Sequence, residues 1–254
     1  MKITILGSGT SQGVPVIACE CEVCKSENPR DKRLRCSVLI ETEDQNIVID
    51  TGPDFRQQML RASVSDLDAV LFTHEHKDHV AGLDDIRAFN FKSGGKAMSV
   101  YATDQVQKAL KREFAYVFAD SKYPGVPEVK LHTIMNKDFE VNGLMIHPIQ
   151  LMHYKMPVLG FRVGDFTYIT DANFIAEEEK EKIKGTKVLV LNALRQSKHI
   201  SHFNLEEALE LIKELDVEKA YLTHISHLMG KHDDVSELLP DNVELAYDGL
   251  ELEF

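Results

Sequence analysis

Three imidazoles and a carboxylate fall within six residues of the stretch LFTHEHKDH, at His74, His76, Asp78 and His79, directly behind an apolar run. Polar donors at that density next to a core are costly unless something binds them. Histidine nitrogen and carboxylate oxygen are the donors that hold zinc and related divalent ions. At a strand end His74 and His76 lie two residues apart and face the same way, while Asp78 and His79 follow in the turn and reach a second position. The pattern predicts two adjacent metals. Two ions that keep positions open for a substrate need more than four ligands. Three further candidates end apolar runs: His153 after Leu144 to Leu151, Asp171 in FTYITDA, and His224 in AYLTHI. A carboxylate such as Asp171 can bridge two cations.

A second cluster, CECEVC, places Cys19, Cys21 and Cys24 together, out of four cysteines in the chain. In a reducing compartment such spacing turns toward metal, with a disulfide as the alternative. Three thiolates leave one zinc position open, and either Cys36, at the start of an apolar strand, or a histidine brought in by the fold fills it. His224 and His227, three apart in YLTHISHLMG, follow a run that reads as a strand ending in a loop, so the two rings are free to serve different places.

These residues need elements to position them. Strand-like runs cover Lys2 to Leu6, Ser37 to Glu41, Asn46 to Asp50, Ala69 to Thr73, Met98 to Ala102, Leu144 to Leu151, Gly160 to Val163, Phe166 to Thr170, Lys187 to Asn192, Ala220 to Thr223 and Glu244 to Tyr247. Helical patterns lie between them. In NLEEALELIKEL, Asn204 caps, Glu207 completes the capping box, and Leu205, Ala208, Leu209, Ile212 and Leu215 form one stripe. Asp104 to Phe118 reads as another helix. Strands interspersed with helices predict an α/β layered fold, and 254 residues with 43% hydrophobic content suit one domain spanning 1–254. GSGTSQG after the first strand has neither the Rossmann nor the P-loop spacing and reads as a tight strand exit needing positive φ. The formal charge of −12 argues against a nucleic-acid-binding surface. No run approaches a membrane span or a signal peptide, so a soluble cytoplasmic protein is expected.

His74, His76, Asp78 and His79, followed by His153, Asp171 and His224, resemble the full ligand series of the metallo-β-lactamase fold hydrolases, with Asp50 in IVIDTG matching that superfamily's structural aspartate. The resemblance implies an αβ/βα four-layer sandwich of two mixed β-sheets with the metals at one edge. Flavodiiron proteins carry glutamate at the second histidine, so His76 points to hydrolysis. GSGTSQGVPVIACECEVC, RCS, LTHISH and YDGLE resemble the PhnP-type phosphodiesterases, which cleave ribosyl cyclic phosphates. That resemblance implies a structural zinc on Cys19, Cys21, Cys24 and His227 within a cysteine-rich loop at 16–36, two catalytic divalent metals, zinc or manganese, and a general-acid histidine at His202. His202 and Asp78 are the candidate catalytic residues, and a hydroxide bridging the two metals is the expected nucleophile.

The implied partner is a small-molecule phosphodiester, with no membrane and no nucleic acid, in a monomer or homodimer. Two other functions share these features. A transfer-RNA 3′-end endonuclease of the tRNase Z type has the HxHxDH series but also a basic arm with no counterpart here. PqqB-like proteins share the cysteine loop but have altered catalytic ligands. His199 lacks motif support, His132, His147 and His232 receive no role, and Arg56 reads as a solvated side chain.

Overall fold

The computed structural model describes residues 1–254, which group into two compact units, each built on one mixed sheet. The first unit comprises Met1–Leu6, Ser37–Met135 and Glu251–Phe254; the second comprises Gly7–Cys36 and Asn136–Leu250.

In the first unit β1 (Lys2–Gly7), β2 (Ser37–Glu41), β3 (Asn46–Ile49), β4 (Ala69–Leu71), β5 (Met98–Ala102) and β6 (Val129–Thr133) lie side by side in chain order. β2 and β3 are antiparallel, while β3 to β6 are parallel. β4 is buried along its whole length, the reading expected of an unalternating Ala-Val-Leu run in a parallel sheet. Leu39, Val48, Phe55, Val70, Phe72, Val80, Leu83 and Val100 form the core. The helix Asp104–Glu113 adds Val106 and Leu110 to it and is capped by the Thr103 side chain. It stops short of Phe118 because Phe114 leaves helical geometry at φ −115 and ψ 45, although Phe114 and Val117 still join the core.

In the second unit the strands are β7 (Phe139–Val141), β8 (Leu144–His153), β9 (Met156–Val163), β10 (Phe166–Ile169), β11 (Phe174–Ile175), β12 (Val188–Asn192), β13 (Lys219–Thr223) and β14 (Val243–Leu245). Their order is β11-β8-β9-β10-β12-β13-β14, with β7 on β8. β8, β9 and β10 are antiparallel, and β10, β12, β13 and β14 run parallel. The helix Leu205–Glu214 has the expected capping box, with Glu207 N donating to Asn204 Oδ1 at 2.9 Å and Asn204 N to Glu207 Oε2 at 3.1 Å. Its buried residues are Leu205, Ala208, Leu211 and Ile212, with Leu209 only partly covered. The chain's last strand, β15 (Glu251–Glu253), belongs to the first unit and pairs antiparallel with β1.

The strand exit at GSGTSQG needs glycine for two different reasons. Gly13 has φ 66 as expected, whereas a Cβ on Gly9 would stand 2.9 Å from Arg33 O, so there it is close backbone approach that requires glycine. No helix is long and apolar enough to cross a membrane.

Candidate functional site

Parallel strands deliver their loop residues at one end, the carboxyl end, where ligands of open α/β sheets gather. In the first unit β3 and β4 end there at Asp50 and at Thr73 and His74. Asp50 takes φ 64, which ends the ladder one residue before the expected boundary and turns its carboxylate inward. The buried carboxylate accepts from Thr73 N at 2.9 Å and Thr73 Oγ1 at 2.7 Å, and lies 2.7 Å from His79 Nδ1. Burial pushes the Asp50 pKa up, and the His79 contact pulls it back. Because Thr73 Oγ1 spends its proton on Asp50, it is the acceptor for His74 Nδ1, 2.9 Å away. His74 and His79 are thus both fixed with the proton on Nδ1 and Nε2 turned outward as a donor atom.

The other donors of this unit converge on the same rings. His74 lies 4.7 Å from His76 and 4.1 Å from His79, centroid to centroid, and His79 Nε2 is 3.1 Å from Asp78 Oδ2. The short helix Lys77–Val80 is drawn against the loop after Asp50, with Thr51 N donating to His79 O at 2.8 Å and Gly82 N to Thr51 O at 2.8 Å. A Cβ on Gly82 would stand 2.1 Å from Gly52 O, so only glycine permits the approach.

In the second unit β10 and β13 lead out into Asp171, φ 58, and His224, φ 57. Non-glycine residues in that region are held by their surroundings and cluster at functional sites. Asp171 Oδ2 accepts from Thr170 Oγ1 at 2.7 Å and lies 2.9 Å from His224 Nδ1. Asn192, at the end of β12, accepts from Ala172 N at 2.8 Å and donates to Ala172 O at 2.9 Å, which fixes the backbone beside Asp171. His153 ends β8 with Nδ1 2.9 Å from Ser201 O, leaving Nε2 to bind. His202 is buried, its ring 4.7 Å from His153 and 4.8 Å from His224, and its Nδ1 3.8 Å from Asp171 Oδ1. The donor atoms of His153, Asp171 and His202 all lie within 4.8 Å of one another. Burial, aided by His224, lowers the His202 pKa to about 3. Burial also opposes charge on His224, but the neighbouring Asp171 prevails and raises it to about 10.

Also in the second unit, His227 Nδ1 lies 3.2, 3.3 and 3.6 Å from the Sγ atoms of Cys19, Cys21 and Cys24. Ligands of one tetrahedral zinc, with Zn–S near 2.3 Å and Zn–N near 2.0 Å, stand about 3.6 Å apart, so this set fits the ion. None of the four cysteines is in a disulfide. Cys36 is buried directly before β2 with Sγ 3.4 Å from Thr223 Oγ1, outside the group, so it is His227 that meets the three thiols. Ile225 separates the two histidines: its N donates to Ser8 O at 2.9 Å and its O accepts from Thr10 N at 3.1 Å. This clamp, with His224 in left-handed geometry, sends the two rings to different groups.

The remaining histidines have other partners. His132 stacks on Tyr101 at 4.5 Å, His147 pairs with Asp138 at 3.0 Å, and His232 Nδ1 lies 3.2 Å from Arg33 Nη2. His199 sits 5.1 Å from the His202 ring and is only partly buried. Arg56 is exposed on a cavity of about 300 Å³ whose lining includes no metal-donor histidine or cysteine. Sequence reasoning missed the orienting residues Thr73, Thr170 and Asn192. A signal for the threonines was present, since His74, Asp171 and His224 each directly follow a threonine.

Comparison with known proteins places this geometry. The profile of the β-lactamase superfamily domain matches residues 45–225. An octanoyltransferase of Porphyromonas gingivalis is 42% identical over 254 residues, a match that covers 99% of this chain and 51% of that protein. The chain spans about half the length of the curated relatives it matches. Among solved structures, a diphosphatase from the PhnP family is 38% identical with a TM-score of 0.94, covering 100% of this chain and 96% of that one. Zinc-bound PqqB from Methylobacterium extorquens is 20% identical with a TM-score of 0.81, covering 100% of both chains.

Proposed function

The chain belongs to the β-lactamase superfamily, and from that premise we propose that it is a metal-dependent hydrolase that cleaves a small phosphodiester, a cyclic ribosyl phosphate or a close relative of one. The observation that carries the reading is the donor set itself. His74 and His79 in the first unit and His153 in the second each have Nδ1 tied to a neighbour, which makes Nε2 the ring atom that would hold a metal. We assign His74, His76, Asp78, His79, His153, Asp171 and His224 to a pair of divalent cations, zinc or manganese, and Cys19, Cys21, Cys24 and His227 to a structural zinc. The likeness to a PhnP-family diphosphatase at 38% identity supports phosphorus as the centre attacked.

Bound cations of this kind supply Lewis acidity and a water-derived nucleophile at neutral pH. The chain's own residues do the rest. Asp50 and Thr73 hold the tautomers of His74 and His79, and Asn192 holds the backbone that aims Asp171. His202, with its ring beside His153 and His224 and its Nδ1 3.8 Å from Asp171 Oδ1, is placed to give a proton to the leaving alkoxide.

The test is turnover by metal-loaded protein of bis(p-nitrophenyl) phosphate, a ribosyl 1,2-cyclic phosphate, a 2′,3′-cyclic nucleotide, a 3′-extended precursor transfer RNA and an octanoyl thioester, side by side. Preference for the cyclic esters is expected. Cleavage of the RNA alone would move the chain to the endonuclease reading. A second reading, acyl chemistry, is favoured by the 42% identity to an octanoyltransferase about twice this length. Turnover of the thioester alone would establish it.

A further inference from the structure

β8 passes into β9 through two loop residues, Tyr154 and Lys155, directly after His153. Tyr154 stands at φ 56. Two-residue hairpins that need a positive φ at the first loop position favour glycine there, and an aromatic residue stays in that region only when its surroundings over-determine it. Asn173 supplies the constraint. Its Oδ1 accepts from Tyr154 N at 2.7 Å and its Nδ2 donates to Ile200 O at 3.3 Å. Asn173 follows Asp171 by two residues and Ile200 precedes His202 by two. One side chain thus ties together the loops that carry His153, Asp171 and His202.

The hydrogen bond from Asn173 holds the backbone of Tyr154, and the ring it carries is not packed into a core. Tyr154 is 49% exposed, and Lys155 Nζ lies 5.2 Å from its centroid. A residue needed only to close the hairpin would be glycine or asparagine. We propose that Tyr154 is a specificity-determining residue, the platform on which the heteroaromatic base of a nucleotide-type phosphoester stacks, with Asn173 as the positioning residue that presents it. The inference rests on reading His153, Asp171, His202 and His224 as part of a phosphoester site. It narrows the substrate class to esters that carry a base.

Zinc-loaded protein titrated calorimetrically with AMP and with ribose 5-phosphate, which differ by the base, tests the proposal without turnover. Wild type is expected to bind AMP about tenfold more tightly or better, the scale of a base stacked on an aromatic side chain. Tyr154→Gly removes the ring while suiting the positive φ, so its melting temperature should hold or rise while the preference for AMP disappears. Tyr154→Phe should retain the preference. Equal binding of the two ligands by wild type, binding of neither, or a glycine variant that keeps the difference would overturn the proposal. Turnover of bis(p-nitrophenyl) phosphate by the same preparation separates this from the reading beneath it. Hydrolysis without base discrimination removes the stacking role alone, whereas no hydrolysis removes the phosphoester reading.

Discussion

Asp50 is fully buried, and its carboxylate is satisfied by three donors: Thr73 N, Thr73 Oγ1 and His79 Nδ1. In Asp50→Asn either orientation of the amide points its NH2 at a donor, Thr73 in one case and His79 in the other. The expected outcome is a loss of about 3 kcal/mol of stability, the scale for a buried hydrogen-bond network left unmatched. Where the amide faces His79 the imidazole must turn over its tautomer and forfeit the Nε2 lone pair, so metal content should fall as well. Urea denaturation of metal-free protein reads the first effect, and metal per chain after dialysis reads the second. An unchanged midpoint with full metal content would sink the tautomer argument. His74, His76, Asp78 and His79 were legible because four donors crowd one short stretch. Asn192 was not, because its partner Ala172 lies 20 residues away and an interior asparagine carries no local sign of what it binds.

At the scale of elements, apolar runs revealed most strands, and the strands that escaped notice are those with little to bury. β6 has Lys130 and His132 among five residues, none of them fully buried; β7 and β11 have three and two residues, and β15 alternates Glu-Leu-Glu. Boundaries at Asp50 and Asp171 fell short of the apolar pattern because a residue at positive φ cannot continue a ladder. Residues 224–227 form the most informative element, since a clamp at Ile225 lets neighbouring histidines serve separate groups. His227→Ala should lose about one zinc per chain, and with it the stability that ligand closure gives a loop with little core of its own, while other metal still loads. His224→Ala should keep the cysteine-bound zinc and lose metal elsewhere. Metal analysis of both variants, with a thiol-reactive probe reporting free Cys21, decides the matter. Equal loss in the two would refute separate groups.

At the scale of the whole molecule, the sequence shows an acidic α/β chain, but not that both termini of the sequence supply one buried network in the second unit. Arg33, 4% exposed, donates to Ser8 Oγ at 2.8 Å and contacts His232 Nδ1 at 3.2 Å, while Asp248 accepts from Ser8 N and Leu34 N. His232 had no role in the sequence because Arg33 is 199 residues away. Its Nδ1 must stay unprotonated to accept from Arg33, and burial first, then the charges of Arg33 and Arg30, lowers its pKa to about 4. An unfolded histidine titrates near about 6.5. Between those values only the unfolded chain takes the proton, so His232 makes stability fall as pH drops from about 6.5 to about 4 and adds no further loss below that. His232→Gln offers an amide oxygen to Arg33 and does not titrate. Its urea midpoint should therefore drop less than that of wild type between pH 7 and pH 5. Equal drops in the two proteins would show that the acid sensitivity arises elsewhere, and a larger drop in the variant would mean that the imidazole is charged in the folded state.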